Sequence, residues 1–239
     1  MNKNINFTSA TYQKKSLPSA QGLQIIQFLT AAFDDYLASR VLINEGLLPQ
    51  GAVLASTAME KYLKAVMATK GNFSHGHLKK AHWESLKNYS KEIYDLCNIE
   101  FLQLCQHCYK LRYLDDLPLN FNIVIAAAEF INELDKTALV FESIIKLEKN
   151  EMRKYNFMIN NKDPRLMKNN YQTEGLNLEP LNIINQPVYE LRKCSNGQII
   201  TMEYVSTSNA LNPSFLREGL ITQDNKSFAT AFNYPPRTE

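Results

Sequence analysis

The sequence has no surplus of charge of either sign. Lys and Arg total 26 against 24 Asp and Glu, a net charge of +2 over 239 residues. A molecule-wide basic field that would hold nucleic acid by itself is therefore excluded, and any such binding needs a local patch. Long apolar runs are missing too. The most apolar short stretch, NIVIAAAEFIN from Asn122 to Asn132, is too short to span a bilayer and leads into Glu133 and Asp135. The opening residues, MNKNINFTSATYQKKSLPS, hold no apolar segment of the kind a secretory signal needs. Cysteine is scarce: Cys97, Cys105, Cys108 and Cys194 are the only four. Three of them fall within one predicted helix, which does not fit a secreted disulfide framework. These absences lead to the expectation of a soluble, cytoplasmic protein in a reducing setting, with no membrane partner.

Several chemical signatures are also missing. There is no GxGxxG and no GxxxxGK[ST], so dinucleotide and P-loop sites have no support. No GxSxG elbow and no HExxH helix occur either. Asp34-Asp35 and Asp115-Asp116 are paired acids, but adjacent residues on a helix do not face each other, so they read as solvated or capping groups.

What remains is mostly helical periodicity. Residues 1 to 21 are polar and aperiodic and read as a tail. Ile26, Leu29, Phe33, Leu37 and Val41 then recur at steps of three and four, one apolar stripe of a first helix, with Arg40 mostly off it. Gly46 can end that helix, and Pro49 can start the next. Ala55, Met59, Leu63 and Val66 form the buried side of the second helix, which Gly71 ends. Glu60 precedes Lys64 in the favourable i,i+4 order, worth about 0.3–0.5 kcal/mol. SHGHLKKAHWESLKNYS reads as a loop and a short third helix, and IEFLQLCQHCYKLRY as a fourth. A long fifth helix is predicted from Phe121 to Glu148, with Ala127, Phe130, Leu134, Phe141 and Ile145 inward. Short links favour antiparallel neighbours. The expected fold is mainly α: an up-and-down antiparallel bundle of four to five helices over residues 22–152.

After Arg153 the character changes, and residues 153–239 read as an irregular extension. VYELRKCSNGQIITMEYV carries one strand signal, with a hairpin expected at 188–205 around Asn196-Gly197. A two-residue turn would pair Tyr189 with Tyr204 and Leu191 with Met202 on one face, leaving Arg192 and Thr201 on the other. A lone hairpin is marginal in water, so its apolar face should rest on the bundle or on another subunit.

The candidate chemistry is concentrated in MEKYLKAVMATKGNFSHGHLKKAHW and around Arg112. Cys105-x-x-Cys108 with His107 invites a zinc reading. On a helix, however, Cys97, Phe101, Leu104, Cys105 and Cys108 share one side, where cysteine acts as a small hydrophobe, so no metal site is assigned. His75, His77 and His82 read as capping and loop groups, or as part of a ligand-contacting basic cluster with Lys70, Lys79 and Lys80. Arg112 follows Phe101 by three helical turns and so shares the cysteine face. It either ties two helices together through Glu60, Asp115 or Asp116, or lines a groove and meets phosphate, for which its planar fork is suited.

FDDYLASRVLINEGLLPQGAVLASTAMEKYLKAVMATKG, then HGHLKKAHWESL, then YKLRYLDDLP together resemble the HEPN domain. That family is a helical bundle found beside minimal nucleotidyltransferases and in toxin–antitoxin systems. The resemblance covers about residues 22–148. It rests on the Glu-Gly end of the first helix, Glu60-Lys61-x-x-Lys64-Ala65, His77-Leu78 and Arg112-Tyr113. Ribonuclease members of the family carry an arginine followed a few residues later by a histidine. Here Arg112 matches the arginine, but Leu117, Pro118 and Leu119 stand where the histidine would fall. The proton-transfer group that such cleavage needs is thus missing from the motif. The resemblance therefore implies a non-catalytic binding protein, a homodimer without a cofactor, that takes a nucleotide, an RNA or a partner such as a nucleotidyltransferase. Its expected ligand-binding residues are Glu60, Lys61, Lys64, His77, Arg112 and Tyr113, with no catalytic residue. A divergent ribonuclease using His77 or His82, and a dimeric interaction scaffold, are the alternatives.

Overall fold

The structure, a computed structural model, describes residues 19–72, 76–144, 153–170, 172, 185–206 and 214–221. The helices are α1 (Ser19–Asn44), α2 (Leu48–Ala68), α3 (Lys80–Tyr89), α4 (Lys91–Leu96), α5 (Ile99–Tyr109), α6 (Ala127–Ile144), α7 (Lys154–Asn160) and α8 (Pro164–Met167). The strands are β1 (Asn122–Ala126), β2 (Gln186–Lys193) and β3 (Ile199–Ser206). The mainly helical class is as the periodicity predicts. The described residues hold eight α-helices rather than four or five, because an unexpected short helix, α4, lies between the predicted third and fourth and two more follow Arg153.

α1 and α2 form the central antiparallel pair. Gly46, with φ of 82°, closes α1: its N–H donates to the Ile43 carbonyl and that of Leu47 to Leu42. This is the glycine-ended helix stop expected at that position. The seam between the two helices is lined by small buried residues, Ala32, Ser39, Gly51, Ala52 and Ala55, which let the backbones approach closely. Ser39 Oγ donates to the Gly51 carbonyl at 2.7 Å across it.

Leu29, Phe33 and Leu37 of the predicted α1 stripe are buried, but Ile26 is exposed and Val41 half-buried. The stripe drifts at 3.6 residues per turn, so Ile25, Tyr36 and Arg40 take the inner positions instead. All four predicted inner residues of α2 are buried. α5 and α6 close the bundle: Phe101 meets Phe130 edge-on at 5.1 Å, and Tyr62 stacks on Phe141 at 5.3 Å. Cys105 and Cys108 of α5 lie in this core as free thiols, and so does Cys97, which stands in extended backbone between α4 and α5 and not on the predicted shared helix. Burial pushes the Cys97 thiol up to about 12.

The predicted fifth helix is corrected at its start. Residues 122–126 are extended and form β1, and only then does the chain turn helical as α6. Ala127, Phe130, Leu134 and Phe141 face inward as expected, while Ile145 lies outside the described residues. β1 pairs antiparallel with β2, and β2 with β3, in the order β1-β2-β3. The hairpin is thus present, at Gln186–Ser206, but its register differs by one from expectation. Tyr189 lies opposite Glu203, Leu191 opposite Thr201 and Arg192 opposite Ile200. The loop has three residues: Gly197 N–H donates to the Cys194 carbonyl at 3.0 Å, and Cys194 N–H to Gln198 at 2.8 Å. With Gly197 at φ of 84°, this is a type I turn closed by a left-handed glycine. The shift puts Met202 and Tyr204 on the face opposite Tyr189 and Leu191. The latter pair rests on the helical core with Ile123 and Ile125.

Candidate functional site

The C-terminal half of α2 carries Glu60, Lys61 and Lys64. Steps of 100° per residue separate them. Glu60 and Lys64 share one side and bond at 2.6 Å. Lys61 turns the other way and meets Asp35 of α1 at 2.6 Å. Lys61 is therefore part of the α1–α2 seam and not brought together with the other predicted residues.

Glu60 organises the segment entering α3. Its second oxygen accepts the Leu78 N–H at 3.1 Å and lies 3.7 Å from His77 Nδ1. Lys64 Nζ also donates to the Gly76 carbonyl at 2.8 Å. His82, the third residue of α3, is fully buried and accepts the Lys79 N–H on Nδ1. Burial and then the nearby Lys64 hold its imidazole below the usual histidine range. It thus caps α3 as a neutral ring. His75 lies outside the described residues.

His77 remains on the surface. Its side chain is 63% exposed, its ring stacks on Tyr109 at 4.0 Å, and its Nε2 shares a 2.7 Å hydrogen bond with the Tyr109 hydroxyl. Tyr109 ends α5, and Lys110–Arg112 continue as a 3-10 turn. Three residues per turn instead of 3.6 carry Arg112 away from the cysteine face, so the expected placement on that face is corrected. Arg112 is exposed, 5.3 Å from the Tyr109 ring centroid and 5.7 Å from that of Tyr113. Neither Glu60, Asp115 nor Asp116 pairs with it, and among the described residues it meets no carboxylate. A helix-tying role for Arg112 is thereby removed. Tyr113 is 52% exposed.

The arrangement is a continuous chain of contacts: Lys64, Glu60, His77, Tyr109, Arg112, Tyr113. It offers an exposed guanidinium between two aromatic rings, an exposed imidazole, and an ammonium already shared with a carboxylate. Such a surface can stack a planar group and neutralise an anion. Tyr109 was not among the residues expected here. Its signal was the spacing of three before Arg112, which only matters once the helix tightens. No group of three metal-ligating side chains occurs among the described residues. No helix among them is long and apolar enough to cross a membrane. No family model, curated protein or solved structure matches this chain.

Proposed function

We propose that this chain is a non-catalytic, HEPN-like helical protein that binds a nucleotide or single-stranded RNA at the Tyr109–Arg112–Tyr113 surface. The observation that carries this reading is Arg112 itself: exposed, flanked by two tyrosine rings, and without a carboxylate partner among the described residues. Bases stack on aromatic faces and phosphates pair with a free guanidinium, so the two chemistries of a nucleotide are met side by side. Glu60 and Lys64 hold the neighbouring loop and set the position of His77. The HEPN assignment, and with it a place in a nucleotidyltransferase or toxin–antitoxin system, rests on the sequence resemblance alone.

The test is fluorescence anisotropy with a labelled RNA oligonucleotide, alongside calorimetry with mononucleotides. Arg112→Ala and Tyr113→Ala should each weaken binding by about tenfold, in line with about 1–3 kcal/mol per stacked base, and leave the circular dichroism unchanged. Wild-type protein that binds neither ligand rules the reading out.

One observation favours a second reading, a divergent ribonuclease. His77 and Arg112 flank the same Tyr109 ring, so a histidine stands near the arginine without the expected sequence spacing. His82 does not qualify, since it is buried and its Nδ1 is engaged. Labelled RNA incubated with wild type and with His77→Ala separates the two readings. Cleavage by wild type that disappears in the variant selects the enzyme.

A further inference from the structure

The sheet face turned away from the helices carries a second site. Its floor is apolar, with Val124, Val188, Ile200, Met202 and Tyr204. At its centre, on the middle strand, stands Glu190 with no solvent exposure. Residues 217–221 cross this floor, after Ser214 and Phe215 rest on Glu100 and Phe101 of α5. They form no fourth strand; side chains hold them instead. Glu190 accepts the Leu220 N–H at 2.8 Å on one oxygen and the Ile221 N–H at 2.6 Å on the other. Arg192 donates to the Glu218 carboxylate at 3.0 Å and to the Ile221 carbonyl at 3.1 Å. The Asn122 amide donates to the Arg217 carbonyl at 2.9 Å.

Each position of the segment meets a separate requirement. Glu218 supplies an acid to Arg192. Gly219 must lack a side chain, because a Cβ there would fall inside contact distance of the Glu190 carboxylate. Residues 220 and 221 must offer free N–H groups. The Ile221 side chain is buried beside Cys194 and Ile200. A buried carboxylate is costly unless its oxygens are satisfied, and here two successive backbone amides of the segment satisfy them. The site is therefore built around a bent peptide that turns two successive N–H groups toward one carboxylate.

We propose that this face is a peptide-reading site selective for an acid–Gly–x–aliphatic segment, and that its partner in trans is residues 218–221 of a second copy. Receptor and segment lie on the same chain, so two copies can exchange segments and keep every contact. The segment's polar contacts with the sheet are made through side chains of β1 and β2, and Leu216 and Leu220 are 43% and 60% exposed. Release of residues 218–221 therefore breaks no sheet ladder, and Phe215 and Arg217 keep their own holds on Phe101 and Glu129 of the helices. The tethered segment wins at low protein concentration, and the exchanged dimer grows as concentration rises.

Two full-length variants test this. Gly219→Val spoils the segment and keeps the receptor; Glu190→Gln keeps the segment and spoils the receptor. In sedimentation velocity each alone should stay monomeric, while their mixture should show a one-to-one species. A labelled peptide, SFLREGLI, should bind Gly219→Val saturably and bind Glu190→Gln about tenfold more weakly, the loss expected when a charged hydrogen-bond acceptor is removed. The same peptide with alanine for glycine should bind neither. Ile221→Ser supplies a second spoiled segment where Gly219→Val does not fold, with circular dichroism as the check. Folded variants that neither associate nor take up the peptide overturn the proposal. Peptide binding without a mixed species overturns the second copy as partner and assigns the site to another protein's segment.

Discussion

A fully buried arginine must find a partner in each direction its guanidinium points. Arg40 pairs with Asp135 of α6 and donates to the carbonyls of Arg165 in α8 and of Lys168, the residue that follows it. Tyr36 completes the group with a 2.8 Å hydrogen bond to Asp135. Arg40→Ala strands the carboxylate and frees α8, so it should lower unfolding stability in urea by about 3–5 kcal/mol. Asp135 itself is pushed up to about 6 by burial, with Arg40 and Tyr36 opposing. Its folded pKa then exceeds its unfolded one, near 3.8, so the folded state holds more protons between the two. This group's contribution is fully present below the unfolded value and is lost as pH rises through about 6. Measured against Asp135→Asn by urea unfolding at successive pH values, wild type should lose on the order of 3 kcal/mol of relative stability over that window. A flat difference would show that Asp135 titrates alike in both states. Arg40 reads from the sequence as a residue off the apolar stripe. Its burial depends on Asp135, which is distant along the chain and visible only as an acid inside an apolar helix.

At the scale of elements, close packing of α1 on α2 is the controlling feature. A Cβ at Gly51 would lie 3.0 Å from the Ser39 carbonyl oxygen and would also press on Ile43. Gly51→Ala should therefore part the helices slightly and cost about 1–3 kcal/mol, read as a lower melting temperature. No change, or a gain from the usual helix preference for alanine, would mean that the seam yields freely. Glycine at this position carries no such signal in the sequence, because it sits in the first turn after Pro49 and looks like a helix start. The hairpin shows the same limit. Asn196-Gly197 marks a turn, but glycine in the left-handed region suits both a two-residue and a three-residue loop. Loop length then decides which face of β3 is which. β1 was hidden for a related reason. Ile123, Val124 and Ile125 are β-branched and favour a strand, yet they run directly into the alanines of α6, and their partner β2 lies more than fifty residues on.

Over the whole molecule, the near balance of charge sets what the proposed surface can do. With a net charge of +2, attraction of a nucleic acid comes from Arg112, Lys64 and their close neighbours and not from a general field. Lys64 is already shared with Glu60, so few phosphates are neutralised. The logarithm of RNA affinity should fall with the logarithm of salt with a slope of about −1 to −2, from about −0.7 per phosphate on single strands. A titration giving a much steeper slope would place the binding on an extended basic surface elsewhere.

The amino-acid sequence by itself determined the course of α1 and α2 and the glycine and proline that bound them, that Cys97, Cys105 and Cys108 are core residues, and that a hairpin follows the bundle. Those are local matters, set by periodicity, by glycine and proline at helix ends, and by the size of a side chain. Only the tertiary structure decided that Lys61 leaves the site for Asp35 and that Tyr109 enters it. It also decided that Arg112 stands free between two rings, and that Glu190 is buried under residues 219–221. Each of these depends on which distant segment lies opposite, and on a turn of three residues where 3.6 would be the default. Neither is written in the spacing of any single stretch.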